Sequence, residues 1–335
     1  MITTKNRAAD LRRTLQVLRA LNPAPLEILI TADGCTDDTI QMLKAEMLKP
    51  DSMSACQNVS FSAFENVSGQ WSASGPGFQR GASSAERGLR PGGVVSGQRS
   101  ECGNLRLIVN EIGLGSVASR DRMMREARGD LVLALDDDSY PEQSDCLAFL
   151  SSLFSLHPAL AVATFPQRTD EYPETLTQTD FGPEHLTRSF PNSGAVLRRS
   201  VYLELPGFAP EFFHMYEEPD YALQCVAAGY EVLFTPVVTI RHHYSGAARS
   251  ELRNHQRHSR NEFWSTVMRC PLPQMPLVAA YRVFSQFLYA CKRGLGWVVC
   301  EPVWWWQALK GIPSCLKKRQ PVSWAGYKRW LDLKS

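Results

Sequence analysis

The sequence predicts an α/β protein: a Rossmann-like, mostly parallel sheet flanked by helices, with a basic helical extension at its C-terminal end. Three observations lead there. Residues 26–31 (LEILIT), 105–109 (LRLIV) and 131–135 (LVLAL) are short continuous apolar runs, the pattern of strands buried on both faces. Each run gives way to a stretch of helical periodicity, the strand–helix alternation of a doubly wound sheet. Each also ends on an acidic or glycine-bearing turn, at the edge where open α/β sheets bind ligands.

In chain order, residues 1–4 read as the stub of a first strand that begins upstream of Met1. Leu11, Leu15, Leu18 and Leu21 then recur at helical spacing until Asn22-Pro23-Ala24-Pro25 stops the helix. The strand at 26–31 runs into Ala32-Asp33-Gly34-Cys35, where Gly34 permits a tight turn and Thr36 or Asp37 caps a helix over 38–48. Residues 50–103, rich in Ser, Gly, Gln and Asn and without periodicity, read as a disordered or poorly ordered insertion. Its N-x-S matches at Asn58 and Asn66 mean little without a secretory signal. Order resumes at 105–109, followed by the turn 110–116 (NEIGLGS) and a helix over 117–127. Gly113 and Gly115 are too few for a dinucleotide fingerprint or a P-loop. Further on come a helix at 146–156, strands at 159–165 and 190–197 around a polar loop, a helix at 221–228, and strands at 230–234 and 237–240. Residues 1–248 are expected to form the α/β domain and 249–335 the helical extension.

Residues 131–140 (LVLALDDDSY) drive three carboxylates straight out of an apolar strand. Burying an unpaired carboxylate costs several kcal/mol, so the three belong where the strand leaves the core. Asp136 and Asp138 fall on one side if extended geometry persists, which lets two oxygen ligands meet one divalent cation. The same residues also suit an acidic turn with Asp138 or Ser139 capping a helix that starts near Pro141. Glu217, Glu218 and Asp220 make a second acidic cluster before a helix, where acidic side chains also favour the dipole. His242 and His243 end a strand.

The net charge of +2 conceals an asymmetry: residues 241–335 hold 16 Lys/Arg against 4 Asp/Glu, and residues 1–240 hold 20 against 30. A basic tail suits an anionic surface, phospholipid or nucleic acid, and no recognition motif for nucleic acid accompanies it. Nine cysteines with no C-x-x-C pair argue against a disulfide framework or zinc ribbon and for a reducing compartment. No secretory signal is visible, and no apolar run reaches the roughly 18 residues of a spanning helix. The expected location is cytoplasmic or peripheral on the inner face of the cell membrane. Residues 276–292 and 294–306 mix Trp, Tyr, Arg and Lys with aliphatics, as an interfacial helix pair does. A helical subdomain packed on the sheet, or on a second subunit, has the same composition.

Three separated stretches coincide with one family: TTKNRAADLRRTL followed by ILITADGCTDDT, the aspartates at 136–138, and YEEPDYALQCVAAGYEVLFTP with a trailing histidine. In this order they resemble inverting glycosyltransferases of family 2, among them rhamnosyltransferase-like members, over Met1 to about His243. The resemblance implies a GT-A fold, a nucleotide-diphosphate sugar donor, and Mg²⁺ or Mn²⁺. It places Asp33 beside the nucleobase, Thr3, Thr4 and Arg7 in the nucleotide floor, and Arg120 near it. It assigns Asp136, Asp137 and Asp138 to the donor and its metal, and a late histidine ligand to His242 or His243. Glu217 and Glu218 become the acceptor-side pair, with Asp220 beside them. The chain departs from the family at Ala32, where an acidic residue is usual, at Glu218, where aspartate is common, and in its clipped first strand.

The chemistry expected is one in-line displacement at the anomeric carbon. A metal held by Asp138, Asp136 and His242 stabilises the departing diphosphate, and Glu218 takes the acceptor hydroxyl's proton. Burial beside Glu217 and Asp220 should raise one carboxyl pKa. The resemblance points to hexosyl or deoxyhexosyl transfer onto a glycan or lipid-linked acceptor, in cell-surface polysaccharide or glycolipid synthesis. Two other classes stay open: a sugar-nucleotide or phospholipid-binding homologue that lost the reaction, and a nucleotidyltransferase. The second would want a glycine- and basic-rich loop after the first strand, where TTKNRAAD stands.

Overall fold

The computed structural model describes residues 1–48, 98–244 and 250–334. Asn58, Asn66 and most of the stretch read as an insertion lie outside the described residues. The first half of the chain alternates strand and helix: β1 (Ile2–Thr4), α1 (Ala8–Arg19), β2 (Ile28–Asp33), α2 (Thr39–Met47), β3 (Gln98–Cys102), β4 (Leu105–Asn110), α3 (Ser116–Glu126) and β5 (Leu131–Asp136). There follow β6 (Ser139–Pro141), α4 (Cys146–Leu156), β7 (Leu160–Thr164), β8 (Gln167–Thr169), β9 (His185–Leu186) and β10 (Ala195–Arg198). Next come α5 (Arg199–Glu204), α6 (Glu217–Ala228), β11 (Glu231–Phe234) and β12 (Ile240–His242). The extension is helical throughout: α7 (Glu251–Arg269), α8 (Met275–Arg293), α9 (Leu295–Val298), α10 (Glu301–Lys317) and α11 (Trp324–Leu331).

One sheet has the order β3-β4-β2-β1-β5-β10-β7-β11-β9. Strands β4, β2, β1 and β5 run parallel, and β10 enters antiparallel between β5 and β7. Strand β3 corrects the reading of 50–103 at its end. The segment QRSEC lacks apolar periodicity, yet its backbone ladders onto β4 from Gln98 opposite Val109 to Cys102 opposite Leu105. A polar sequence is what an edge strand tolerates, because the ladder rather than burial holds it.

Alternation along the strands separates two apolar layers. Val132, Ala134 and Leu197 point to one side, and Leu135 and Val196 to the other. Helices α1, α2 and α4 cover the second side through Leu11, Leu15, Met42, Leu43 and Phe154. The first side is covered by α3, α5 and α6, and the same cluster takes in Trp264 and Met268 of α7, Cys315 of α10, and Tyr327 and Trp330 of α11. The extension therefore shares the core of the α/β body. Its end returns to the sheet, where Trp330 Nε1 donates to the Arg188 carbonyl at 2.8 Å.

Two local expectations are corrected. Strand β5 stops at Asp136, so extended geometry does not carry Asp138 to the side of Asp136; the chain turns through Asp137 and Asp138 into β6. The helix placed at 221–228 begins at Glu217, which puts Glu217, Glu218 and Asp220 in its first turn. A second sheet, β6-β12-β8, sets His242 opposite both Ser139 and Thr169. That pairing, rather than β5, brings a histidine from 104 positions further along to Asp138.

Candidate active site

The turn after β5 is pinned from several sides. Thr4 Oγ1 donates to Asp137 Oδ2 at 2.8 Å, Thr14 Oγ1 donates to the Asp137 carbonyl at 2.9 Å, and the Asp136 amide donates to Ser139 Oγ at 2.8 Å. Thr3 stands opposite Asp136 in the β1–β5 ladder. Arg7 Nη1 lies 3.1 Å from Asp137 Oδ1 and 2.7 Å from Asp138 Oδ2. No helix is capped by Asp138, since α4 starts only at Cys146. Asp136, Asp138 and His242 instead converge, each offering one ligand atom within 4.8 Å of the others.

His242 Nε2 is 3.2 Å from Asp138 Oδ1, while its Nδ1 is 3.1 Å from Gln167 Oε1. Gln167 Nε2 donates in turn to Ser193 Oγ at 2.7 Å. Gln167 Oε1 accepting from Nδ1–H would give the tautomer whose Nε2 can ligate a metal. Sequence reasoning missed Gln167, which no local motif marks. His243 is not a ligand. Its Nε2 meets Tyr140 OH at 2.8 Å and its Nδ1 meets Asp170 Oδ2 at 3.5 Å, because neighbouring residues at a strand end point to opposite sides.

The group fits a divalent ion. Asp138 is 1% exposed, and its oxygens lie in ion-pair range of Arg7 and His242 without a well-aligned hydrogen bond. Buried carboxylate oxygens held in this way are open to a cation. Two carboxylates and an imidazole suit Mg²⁺ or Mn²⁺. Burial pushes the Asp138 carboxyl up, but His242 and Arg7 outweigh it and the pKa falls below the ordinary value. Asp137 behaves oppositely: burial raises it to about 7, against the pull of Arg7 and with added repulsion from Asp138 and Asp136.

The second acidic cluster is tied to the first by one buried arginine. Arg120 Nη2 donates to Asp136 Oδ1 at 2.5 Å and Nη1 donates to Glu217 Oε1 at 3.1 Å. Glu217 is 2% exposed, receives Asn192 Nδ2 at 3.4 Å on the same oxygen, and keeps Oε2 without a hydrogen bond. Glu218 is half-buried, and its Oε1 accepts from the Asn192 amide at 3.4 Å. Burial, with the Glu217 charge beside it, raises the Glu218 carboxyl to about 8. His214, another residue the sequence did not single out, contacts Ser116 Oγ at 3.0 Å, and burial keeps its pKa low.

The loop that delivers this pair is strained. Phe213, Met215 and Tyr216 have φ of 64°, 77° and 71°, left-handed values that cost about 1–3 kcal/mol each for residues with a Cβ. Two adjacent side chains of the extension hold it, Arg260 Nη2 donating to the Phe212 carbonyl at 3.0 Å and Asn261 reaching further. Asn261 Nδ2 lies 3.1, 2.9 and 2.8 Å from the carbonyls of Phe212, His214 and Met215. On the opposite side the Val117 amide donates to the Phe213 carbonyl, and a Cβ at Gly115 would collide with that same group. Asn261→Ala is expected to lower kcat about 100-fold with little change in donor KM, since small misplacements of a reacting group cost that much. Asn261→Asp, which cannot donate, should match it in steady-state kinetics.

Asp220 is removed from the catalytic set. It is fully buried, and its oxygens receive Ser265 Oγ at 2.7 Å, Gln224 Nε2 at 2.8 Å, and Arg269 at 3.2 and 3.1 Å. It locks α7 onto α6. Asp33 is likewise engaged, accepting from Asn110 Nδ2 at 2.8 Å, the Leu114 amide at 2.9 Å and the Gly115 amide at 2.8 Å. Through those bonds it shapes the turn between β4 and α3.

The candidate metal group, joined by Arg120 to the acid pair, sits at the edge of an α/β sheet of GT-A architecture, the fold of solved glycosyltransferases. The model of glycosyl transferase family 2 matches residues 94–223 of this chain. No curated protein matches it in sequence. Among solved structures, the mannosyltransferase PcManGT from Pyrobaculum calidifontis, in complex with GDP-Man and Mn²⁺, is 16% identical with a TM-score of 0.52, over 98% of this chain and 84% of that one. Residues 1–349 of S. aureus TarS in complex with UDP-GlcNAc are 13% identical with a TM-score of 0.54, over 94% and 80%. GalNAc-T7 with UDP, GalNAc and Mn²⁺ is 12% identical with a TM-score of 0.54, over 81% of this chain and 47% of that one. At such identities the likeness establishes the fold.

Proposed function

We propose that the protein transfers a hexosyl or deoxyhexosyl unit, with inversion and with Mg²⁺ or Mn²⁺, from a nucleotide-diphosphate sugar to a hydroxyl. The acceptor we assign is a glycan or lipid-linked saccharide, in cell-surface polysaccharide or glycolipid synthesis at the inner face of the cell membrane. The observation that carries the reading is the Arg120 bridge, which fixes Asp136 of the metal group and Glu217 of the acid pair in one unit. The Mn²⁺ and nucleotide sugars bound by the structurally similar transferases support it.

Held by Asp136, Asp138 and His242, the cation would neutralise charge on the leaving diphosphate. Thr3, Thr4 and Arg7 form the floor on which the nucleotide rests, with Arg7 adding a positive charge beside Asp137. Asp33 serves the base side by holding the 110–115 turn. Glu218 accepts the hydroxyl proton, and its raised pKa makes it a competent base near neutrality. Glu217, committed to Arg120, keeps the negative partner that stops Glu218 from ionising too early. A base on the face opposite the leaving group gives inversion.

A thermal-shift screen of UDP-, GDP- and dTDP-sugars tests the reading. At least one donor should raise the melting temperature by about 4 °C with Mn²⁺ and by much less without it. No shift with any donor would leave a protein that kept the fold and lost the reaction.

A further inference from the structure

We infer that α8, α9 and α10 form a docking surface for an anionic membrane, on which the protein lies without spanning it. On α8, Leu277, Tyr281, Phe284 and Leu288 recur at helical spacing and all face solvent, Leu277 at 77% exposure. Val303, Trp306 and Leu309 repeat the pattern along α10, with Trp306 at 60% exposure, and Val299 just before it is also exposed. Neither stripe is needed for the fold, because the opposite faces already pack inward through Ala279 and Ala290 of α8 and Trp304 and Ala308 of α10. The rings of Phe287 and Trp305, 6.2 Å apart, bring the two helices into contact. A helix pair at the surface of a protein surrounded only by water presents polar residues there.

Charge selects the occupant. Residues 263–331 contain ten Lys/Arg and a single acid, Glu301. Glu301 is fully buried, bonded to His255 Nε2 at 2.8 Å and to Trp304 Nε1 at 2.9 Å. This stretch therefore shows no acidic side chain of its own to solvent, although exposed Glu251 of α7 pairs with Arg293. Lys310 lies 4.9 Å over the Trp306 ring and Arg293 lies 4.8 Å over Trp297, aromatic–basic pairs suited to the headgroup layer. A second copy of the chain would bring two basic faces together, which like charge opposes. Among the described residues no helix is long and apolar enough to cross a membrane, which fits a surface association.

Docking does not depend on the transfer chemistry, so its test reads neither donor nor product. The full chain is sedimented with phosphatidylcholine vesicles with and without phosphatidylglycerol, with tryptophan emission recorded. Wild type should bind the anionic vesicles, shift its emission to the blue, bind the neutral ones far less, and weaken in high salt. Leu277→Glu/Phe284→Glu/Trp306→Glu, three exposed positions, should lose at least tenfold in partitioning with an unchanged melting temperature. Lys310→Glu/Lys317→Glu should lose about 20-fold on anionic vesicles alone, since each basic residue near such a surface contributes about fivefold. Failure of wild type to bind anionic vesicles would overturn the proposal. So would undiminished binding by both variants, or a triple variant that only converts a dimer to a monomer.

Discussion

Glu218→Gln is expected to lower turnover about a thousandfold or more, the loss typical of a deleted general base, while donor affinity stays close to wild type. Wild-type-like turnover would remove Glu218 from the mechanism. The wild-type pH profile carries the same signature. With the carboxyl at about 8, the active ionised form grows about tenfold per pH unit on the acid side, and kcat should level off only above pH 8. Stability runs the other way. A carboxyl raised from its ordinary 4.5 in the folded state contributes stability below pH 4.5 that is lost as pH climbs through about 8. Glu218→Gln should therefore melt about 2–4 °C above wild type at pH 9, with the difference vanishing near pH 4.

Asp138→Ala is expected to abolish Mn²⁺-dependent donor binding together with turnover. Asp138 has one oxygen toward His242 and the other toward Arg7, so no neighbouring side chain replaces it as a ligand. Calorimetric titration of Mn²⁺ in the presence of the responsive donor should show no binding in the variant. Chelation of wild type should reproduce the loss, and Mn²⁺ should reverse it. Asp137→Asn is the control: its carboxyl faces Thr4 and Arg7, so the metal dependence should survive. Retained Mn²⁺-dependent binding in Asp138→Ala would displace the metal site from the 136–138 turn.

The parallel half of the sheet was legible because its strands are continuous apolar runs, each closed by a turn with a chemical signature. Asp136 and Asp138 stood out for the same reason, whereas the pair Glu217-Glu218 was singled out only by the resemblance, since acidic residues also favour a helix start. What local pattern could not supply was the direction of side chains set by distant pairing. His242 and His243 are equivalent in sequence, and only the register of β12 against β6 and β8 separates the inward ring from the outward one. Asp220 shares its acidic turn with Glu218, but two residues of helix geometry turn it to the other face, toward Arg269. Strand β3 escaped notice because an edge strand needs no apolar period. Asn261 left no trace at all: an asparagine in a polar helix gives no hint of three carbonyls waiting for it.

Those three carbonyls also set an order of assembly. The acid pair is made long before its brace, since Asn261, Ser265 and Arg269 lie more than 40 positions further along the chain. Trp330 then closes on Arg188 across 142 positions. During vectorial synthesis the sheet can form while the loop at 212–216 still lacks its support. The candidate site is thus among the last parts to be completed, and a nascent or prematurely terminated chain would fold a sheet while the loop before Glu217 still lacks its brace.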